Sequence, residues 1–303
     1  MDQFCIFIKT YSGDLFRTLI LLESIAEFNR DNIPIVMSVP QNDYKIFKSK
    51  IESSIKLFRD NEICDELVYH SVNGFAPGYI NQQLVKLTFW KTNLYKFYLC
   101  LDSDTYFIRD FYYRDFFYNS ETPYTNLSQW EPHFLNIDHL HWVDIYKTNI
   151  KKINEVLDHK IDKYITCSGL TILSYSILKS FEKKFLQVKS LKYLDIIKKV
   201  PFEFTWYNQW LIKEGGYKIV PITNFFKVFH YRDEYEDTRH KLIKEKDIKK
   251  MYLGIVMNSN WKPIPAPYKY KDPSWRHYLL YYCTKFLKQV FAKIYKISHG
   301  IKK

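Results

Sequence analysis

The sequence predicts an α/β fold with a mostly parallel central sheet flanked by helices and a helical tail at the C-terminus. Three observations carry that expectation. The short apolar runs Phe4-Cys5-Ile6-Phe7-Ile8, Ile33 to Val39 and Phe97-Tyr98-Leu99-Cys100-Leu101 lack polar alternation, as strands of a parallel sheet covered on both faces do. Segments at helical spacing lie between them. Two of the runs stop abruptly on polar groups, Lys9-Thr10 and Asp102-Ser103-Asp104, at the strand ends where ligands of open α/β sheets bind.

Length and charge narrow the class. The 303 residues are enough for one large domain or two small ones. We divide them into a catalytic-type domain over 1–262, a Pro-rich linker over 263–273 and a basic amphipathic helix over 274–303. A net charge of +12 favours a polyanionic partner: nucleotide phosphates, nucleic acid or an anionic membrane surface. From Ser274 onward there are seven Lys/Arg and no acid, so the tail supplies most of the excess. The remainder is nearly balanced, and no nucleic-acid partner is expected. The five cysteines never form a Cys-x-x-Cys pair, which argues against a disulfide framework or a zinc site of that kind and fits a reducing cytosol. No signal peptide is evident at the N-terminus. No run of 18 apolar residues occurs, so no membrane span is expected.

Taken in order, Phe4–Ile8 is the first strand, followed by a polar loop over Lys9–Asp14. Leu15, Leu19, Leu22 and Ile25 then recur at helical spacing, with Ser12 or Asp14 available as a cap. No G-x-G-x-x-G and no G-K-[ST] occurs, so dinucleotide and P-loop fingerprints are excluded. A strand over 33–39, a helix over 43–58 and a short third strand over Glu66–Tyr69 follow. After a Gly/Pro loop, a helix over 79–94 carries Gln82, Gln83, Lys86, Leu87 and Trp90. An ammonium among apolar neighbours, as at Lys86, calls for an anion; the plain alternative is a snorkelling lysine.

Asp102 and Asp104 are the chemical focus. In an extended stretch residues i and i+2 point to the same side, so both carboxylates can serve one site. Two like charges there need a cation, and oxygen ligands suit Mg²⁺ or Mn²⁺. The plain alternative is a solvated turn. Thr105–Arg109 is a strand continuing the sheet edge. Residues 112–164 are the least regular part, with His133, His139, His141 and His159 but no helical metal pair, and are expected to cover a substrate.

The strand over 168–174, a helix over 177–188 and a helix from Glu203 to Gly215-Gly216 follow. Glu203 at that helix start is favoured by the helix dipole, either simply as a helix-start charge or as a general base. Strands over 217–221 and 225–229 come next, the second ending on His230. In the tail, Leu279, Leu280, Phe286, Leu287 and Phe291 form an apolar stripe beside lysines. That is the composition of an interfacial helix on anionic lipid, or of a helix docked on the domain itself.

With these residues on the page, residues 1 to about 235 resemble a GT-A glycosyltransferase, in particular the bacterial glycosyltransferase-like proteins of surface-polysaccharide gene clusters. The resemblance rests on Thr10-Tyr11 and Asp14 after the first strand, Gln82-Gln83-x-x-Lys86-Leu87, Leu101-Asp102-Ser103-Asp104, Ser168-Gly169, Glu203-x-x-x-Tyr207 and His230, in that order. It implies a Rossmann-like GT-A fold, a nucleotide-sugar donor, Mn²⁺ or Mg²⁺, and a glycan or lipid-linked acceptor. By residue, it implies that Asp102 and Asp104 hold metal and ribose-phosphate with Ser103 between them, and that His230 is a late third ligand. Thr10, Tyr11 and Asp14 would lie near the nucleobase and ribose, Gln83 and Lys86 near the donor. Asp104 and Glu203 are the catalytic candidates, Glu203 as base if the reaction inverts. Glu203 stands in no clean version of the acidic motif of inverting members, and the middle region aligns with nothing in the family. The expected protein is cytoplasmic, held at the inner face of the cell membrane by its tail.

Two rivals use the same features. A nucleotidyltransferase would employ the same acids and metal, and a nucleic-acid-binding protein would explain the basic charge. A haloacid-dehalogenase-type D-x-D-x-T is excluded, because Tyr106 stands where Thr is required.

Overall fold

The computed structural model describes residues 1–127, 140–160, 170–222, 224–261 and 264–298. β1 (Asp2–Lys9) is buried from Phe4 onward and leads through a 3-10 turn into α1 (Leu15–Phe28), which buries Thr18, Leu21 and Ile25. Neither Ser12 nor Asp14 caps this helix with its side chain. β2 (Ile35–Val39) is followed by α2 (Tyr44–Lys48) and then by β3 (Lys56–Arg59). This corrects the helix expected over 43–58: pairing with β2 outweighs local periodicity. The third strand expected at Glu66–Tyr69 is also corrected. The Asn81 amide bonds both the N–H and the C=O of Val68, at 2.8 Å each, and so satisfies groups that a neighbouring strand would otherwise take.

α3 (Pro77–Thr88) opens on a proline at its first turn, where the missing N–H costs nothing. β4 (Tyr95–Leu101) then runs to the two acids. β5 (Thr105–Phe107) does not extend the main sheet edge as expected and belongs to a separate sheet. β6 (Phe117–Asn119), β7 (Thr122–Asn126) and the 18-residue α4 (Leu140–Leu157) give the middle region more order than its composition suggests. Ile150, Ile153 and Leu157 are buried on one face of α4. His133 and His139 lie outside the described residues, as do Ser168 and Gly169.

β8 (Ile172–Ser174), α5 (Tyr175–Phe181) with a π turn to Leu186, α6 (Tyr193–Lys199) and α7 (Glu203–Glu214) follow. α7 stops at Gly215, whose φ is +64°, a backbone conformation natural only to glycine. β9 (Val220–Ile222), β10 (Phe226–Phe229), α8 (Arg232–His240), α9 (Glu245–Ile248), β11 (Gly254–Met257) and α10 (Trp275–Ser298) complete the chain.

The central sheet has the order β3-β2-β1-β4-β8, parallel except for β8, which runs antiparallel to β4. Helices on both faces bury alternate residues of the same strands. Cys5, Phe7, Tyr98 and Cys100 face α3, α5, α6 and α7, whereas Ile6, Ile8, Leu99 and Leu101 face the α1 side. Ile8 pairs with Leu101, so the chain segments leaving β1 and β4 emerge side by side. Two three-stranded sheets, β10-β11-β5 and β6-β7-β9, stand beyond. Gly254 is required in the first of these: a Cβ there would come within 2.3 Å of the Tyr106 carbonyl oxygen. Residues 264–273 lie against α1. Arg17 donates to the Ala266 carbonyl at 3.1 Å and sits 4.8 Å from the centre of the Tyr268 ring.

Candidate active site

Three chain segments leaving β-strands, and the facing parts of α3 and α7, enclose a cavity of about 250 Å³. Its polar lining is Gln82 and Lys86 from α3, Asp102 and Asp104 after β4, Glu203 from the first turn of α7, His230 after β10 and Asn258 after β11. Tyr79, Tyr146, Phe202 and Phe204 form an aromatic wall. Asp102, Asp104, His230 and Asn258 follow strands that end at the cavity, Glu203 opens α7 there, and Lys86 reaches it from the last turn of α3.

Lys86 is fully buried, and its Nζ lies 2.8 Å from Asp102 Oδ1 and 2.8 Å from Glu203 Oε1. It is no snorkelling lysine. Burial opposes its charge, but Asp102 and Glu203 more than offset that and hold the ammonium above its ordinary range. The Tyr98 hydroxyl donates to the Lys86 carbonyl at 2.8 Å, which ties α3 to β4 at this point.

Asp104 differs from Asp102. Its Oδ2 accepts the Ser259 N–H at 3.0 Å, and its carbonyl accepts the Met257 N–H at 2.9 Å, so the end of β11 grips it. Its Oδ1 is buried without a hydrogen-bond partner among the described residues. Burial and the Asp102 charge push the Asp104 pKa up to about 7, against the Ser259 N–H and Arg17. A buried oxygen left without a donor, beside a second carboxylate, is a place where a cation would restore what burial removes. Asp102, Asp104 and His230 line the same cavity and are of the ligand types Mn²⁺ accepts, although their ligand atoms are not drawn together to within 4.8 Å of one another.

The other sequence candidates, Thr10, Tyr11, Asp14, Gln83 and Ser103, do not line the cavity. The Ser103 hydroxyl donates to Asp14 Oδ2 at 2.9 Å, so Asp14 spans from α1 to the acidic turn instead of capping its own helix. Thr10 is buried and its hydroxyl bonds that of Thr18 at 2.8 Å. Tyr11 is half exposed. Gln83 is buried in the core and donates to the Tyr79 carbonyl at 3.2 Å; its neighbour Gln82 is the glutamine that reaches the cavity.

Sequence reasoning missed Asn258, Ser259 and Tyr146. The signal for the first two is present, because Leu253–Met257 is another apolar run that ends on polar residues. For Tyr146, the signal is the spacing of Ile150, Ile153 and Leu157 on the same helix.

The fold and cavity together define an α/β protein with an acidic cleft at the carboxyl ends of its parallel strands. The chain belongs to the family of unknown function DUF6492, whose model matches residues 4–300, and so covers both the cleft and the tail. No curated protein matches it in sequence. Among solved structures it is similar to the apo form of mouse xyloside xylosyltransferase 1, at 9% identity and a TM-score of 0.47, covering 87% of this chain and 100% of that one. So remote a likeness defines neither the activity nor the substrate of this chain.

Proposed function

We propose that the chain is a GT-A-type glycosyltransferase that moves a sugar from a nucleotide-sugar donor to a glycan or lipid-linked acceptor. The observation that carries this reading is the buried Asp104 Oδ1, without a hydrogen-bond partner among the described residues, next to Asp102 at the end of a parallel strand. Asp102, Asp104 and His230 are the residues that would hold a Mn²⁺ or Mg²⁺ ion. Bound there, the ion would supply positive charge where a nucleoside diphosphate leaves.

The chain's own residues account for the rest. Lys86 is a fixed cation at the cavity, available to an anionic donor and needing no reorganisation when charge develops. It also holds Asp102 and Glu203 in place, which would aim Glu203 at an acceptor hydroxyl as the proton-accepting group. Asp14, linked through Ser103 to the acidic turn, and Tyr11 on the exposed rim would take the ribose and base. The aromatic wall offers faces to the apolar side of a sugar ring. A nucleotidyltransferase would use the same acids but release pyrophosphate, so the leaving group separates the two readings.

The resemblance to bacterial surface-polysaccharide proteins suggests that pathway class for the acceptor. A role at the inner face of a cell membrane is supported by α10. Leu279, Leu280, Phe286, Leu287 and Phe291 are each more than half exposed, with Lys285 and Lys288 beside them. Among the described residues no helix is long and apolar enough to cross a membrane. An interfacial helix with basic flanks would instead lie on anionic lipid.

Two experiments test these assignments. Purified protein incubated with a panel of nucleotide sugars and Mn²⁺ should release one nucleoside diphosphate; EDTA should stop this, and Asp104→Asn should lower the rate by a factor on the order of 10³. Undiminished release under both conditions contradicts the assignment, and release of pyrophosphate selects the nucleotidyltransferase. For the tail, the double variant Phe286→Glu/Phe291→Glu should no longer sediment with phosphatidylserine vesicles and should melt as the wild type does. Unchanged sedimentation would reject the membrane surface.

A further inference from the structure

A second metal-type cluster lies at the root of the C-terminal helix, and none of its members lines the cavity. Glu236 and His240 occupy positions i and i+4 of α8, so they share one helix face. His277 comes from the first turn of α10. One carboxylate oxygen and one nitrogen from each imidazole all lie within 4.8 Å of one another. We propose that Glu236, His240 and His277 form a Zn²⁺ site that fastens the C-terminal helix to α8.

The distances favour such a site. Bonds of about 2.0–2.2 Å to zinc put tetrahedral ligand atoms about 3.3–3.6 Å apart. Glu236 Oε2 and His277 Nε2 already stand 3.3 Å apart. The remaining contraction, at most about 1.5 Å from the 4.8 Å limit, falls to His240, which is exposed and sits in the last turn of α8, where a rotamer change meets little resistance. The two imidazole rings are 5.3 Å apart between centroids. His277 is buried and has an outer partner, since the Ser274 hydroxyl lies 2.8 Å from its Nδ1. A hydrogen bond to the ring nitrogen that faces away from the metal orients a ligand histidine. Two imidazoles and a carboxylate with a fourth position open suit zinc among the common divalent ions.

Two contacts oppose the metal and shape the test. The Ser274 backbone N–H also points at His277 Nδ1, at 3.1 Å, so metal binding at Nε2 requires that bond to yield to the hydroxyl. Arg239 donates to both oxygens of Glu236, at 3.3 and 3.0 Å, and competes with a cation for that carboxylate. Arg239 also sits 5.1 Å from the centre of the Tyr235 ring, which gives it a place to remain when Glu236 turns to the metal.

The experiment is titration of the full chain, stripped of metal by chelator, with ZnCl₂ in a calorimeter. An Asp102→Ala/Asp104→Ala background removes the cleft as a competing zinc site. That protein should bind one equivalent, His240→Ala should weaken binding by about tenfold or more, and Arg239→Gln should tighten it. Co²⁺ in place of Zn²⁺ should give visible absorbance that His240→Ala abolishes. Should the background variant not fold, His240→Ala alone should lower the zinc stoichiometry of the wild type by one. Equal zinc binding with and without His240, or none in the background variant, would overturn the site and leave the cluster a hydrogen-bonded clasp only.

Discussion

Two lysines are buried against carboxylates at the carboxyl end of the same sheet, and the two groups are built differently. At the end of β1, Lys9 lies 3.1 Å from Asp60, whose other oxygen accepts the Ser38 hydroxyl at 2.6 Å, while Lys9 also donates to the Thr10 carbonyl at 2.8 Å. One cation meets one anion, and every polar atom has a partner. Beside it, at the end of β4, the single Lys86 faces Asp102 and Glu203, with Asp104 next to them and one Asp104 oxygen left over. The first group is complete in itself, whereas the second lacks positive charge. A closed ion pair needs nothing from solution and holds strands together. An acid-rich group at a cavity has charge that a bound cation would balance, and that difference separates scaffold from candidate site.

The contrast can be broken by substitution. Lys9→Met leaves Asp60 buried without its cation, and unfolding free energy in urea should fall by about 3–5 kcal/mol. Asp104→Asn removes charge from a place that already has too much and should leave stability at neutral pH close to wild type. If the two variants lost stability equally, the distinction between a complete and an incomplete group would be lost.

A smaller effect sharpens the same contrast through pH. Burial and Asp102 raise the Asp104 pKa from 3.8 to about 7. Between those values the folded, metal-free chain holds a proton that the unfolded chain has released. Stability contributed by this group therefore falls as pH rises from about 4 to about 7 and is level above that. Lys9 and Asp60 also titrate under burial, the lysine pushed down and the carboxyl up, so the test is a difference. The decline from pH 4 to 7, measured by thermal unfolding in chelator, should be steeper for wild type than for Asp104→Asn. Parallel curves would contradict the burial of an uncompensated acid.

Much of this is legible in the sequence, for identifiable reasons. Asp102 and Asp104 stand out because the apolar run Phe97–Leu101 ends on them, His230 because the largely apolar β10 ends on it, and Glu203 because it opens a helix. Lys86 stands out as a charge on an otherwise apolar helix face. The same rule applied to Leu253–Met257 points to Asn258 and Ser259, but a four-residue strand containing a glycine gives a weak local signal. Where β5 pairs is a choice made by distant chain, since its partner lies some 150 residues later, and no local pattern encodes it. Glu66–Tyr69 has the composition of a strand, yet the Asn81 side chain satisfies Val68 where a strand would have. Gln82 and Gln83 differ only in which side of α3 they occupy, which the exact start of the helix at Pro77 decides.

The central claim is that the acidic cleft binds a divalent cation together with a nucleoside diphosphate. Calorimetric titration of the purified chain with a panel of nucleoside diphosphates, with and without Mn²⁺, tests it most directly. One nucleotide should bind in the presence of Mn²⁺, far more weakly without it, and not at all to Asp104→Asn. Binding that is indifferent to Mn²⁺ and to Asp104, or no binding by any of the nucleotides, would contradict the account.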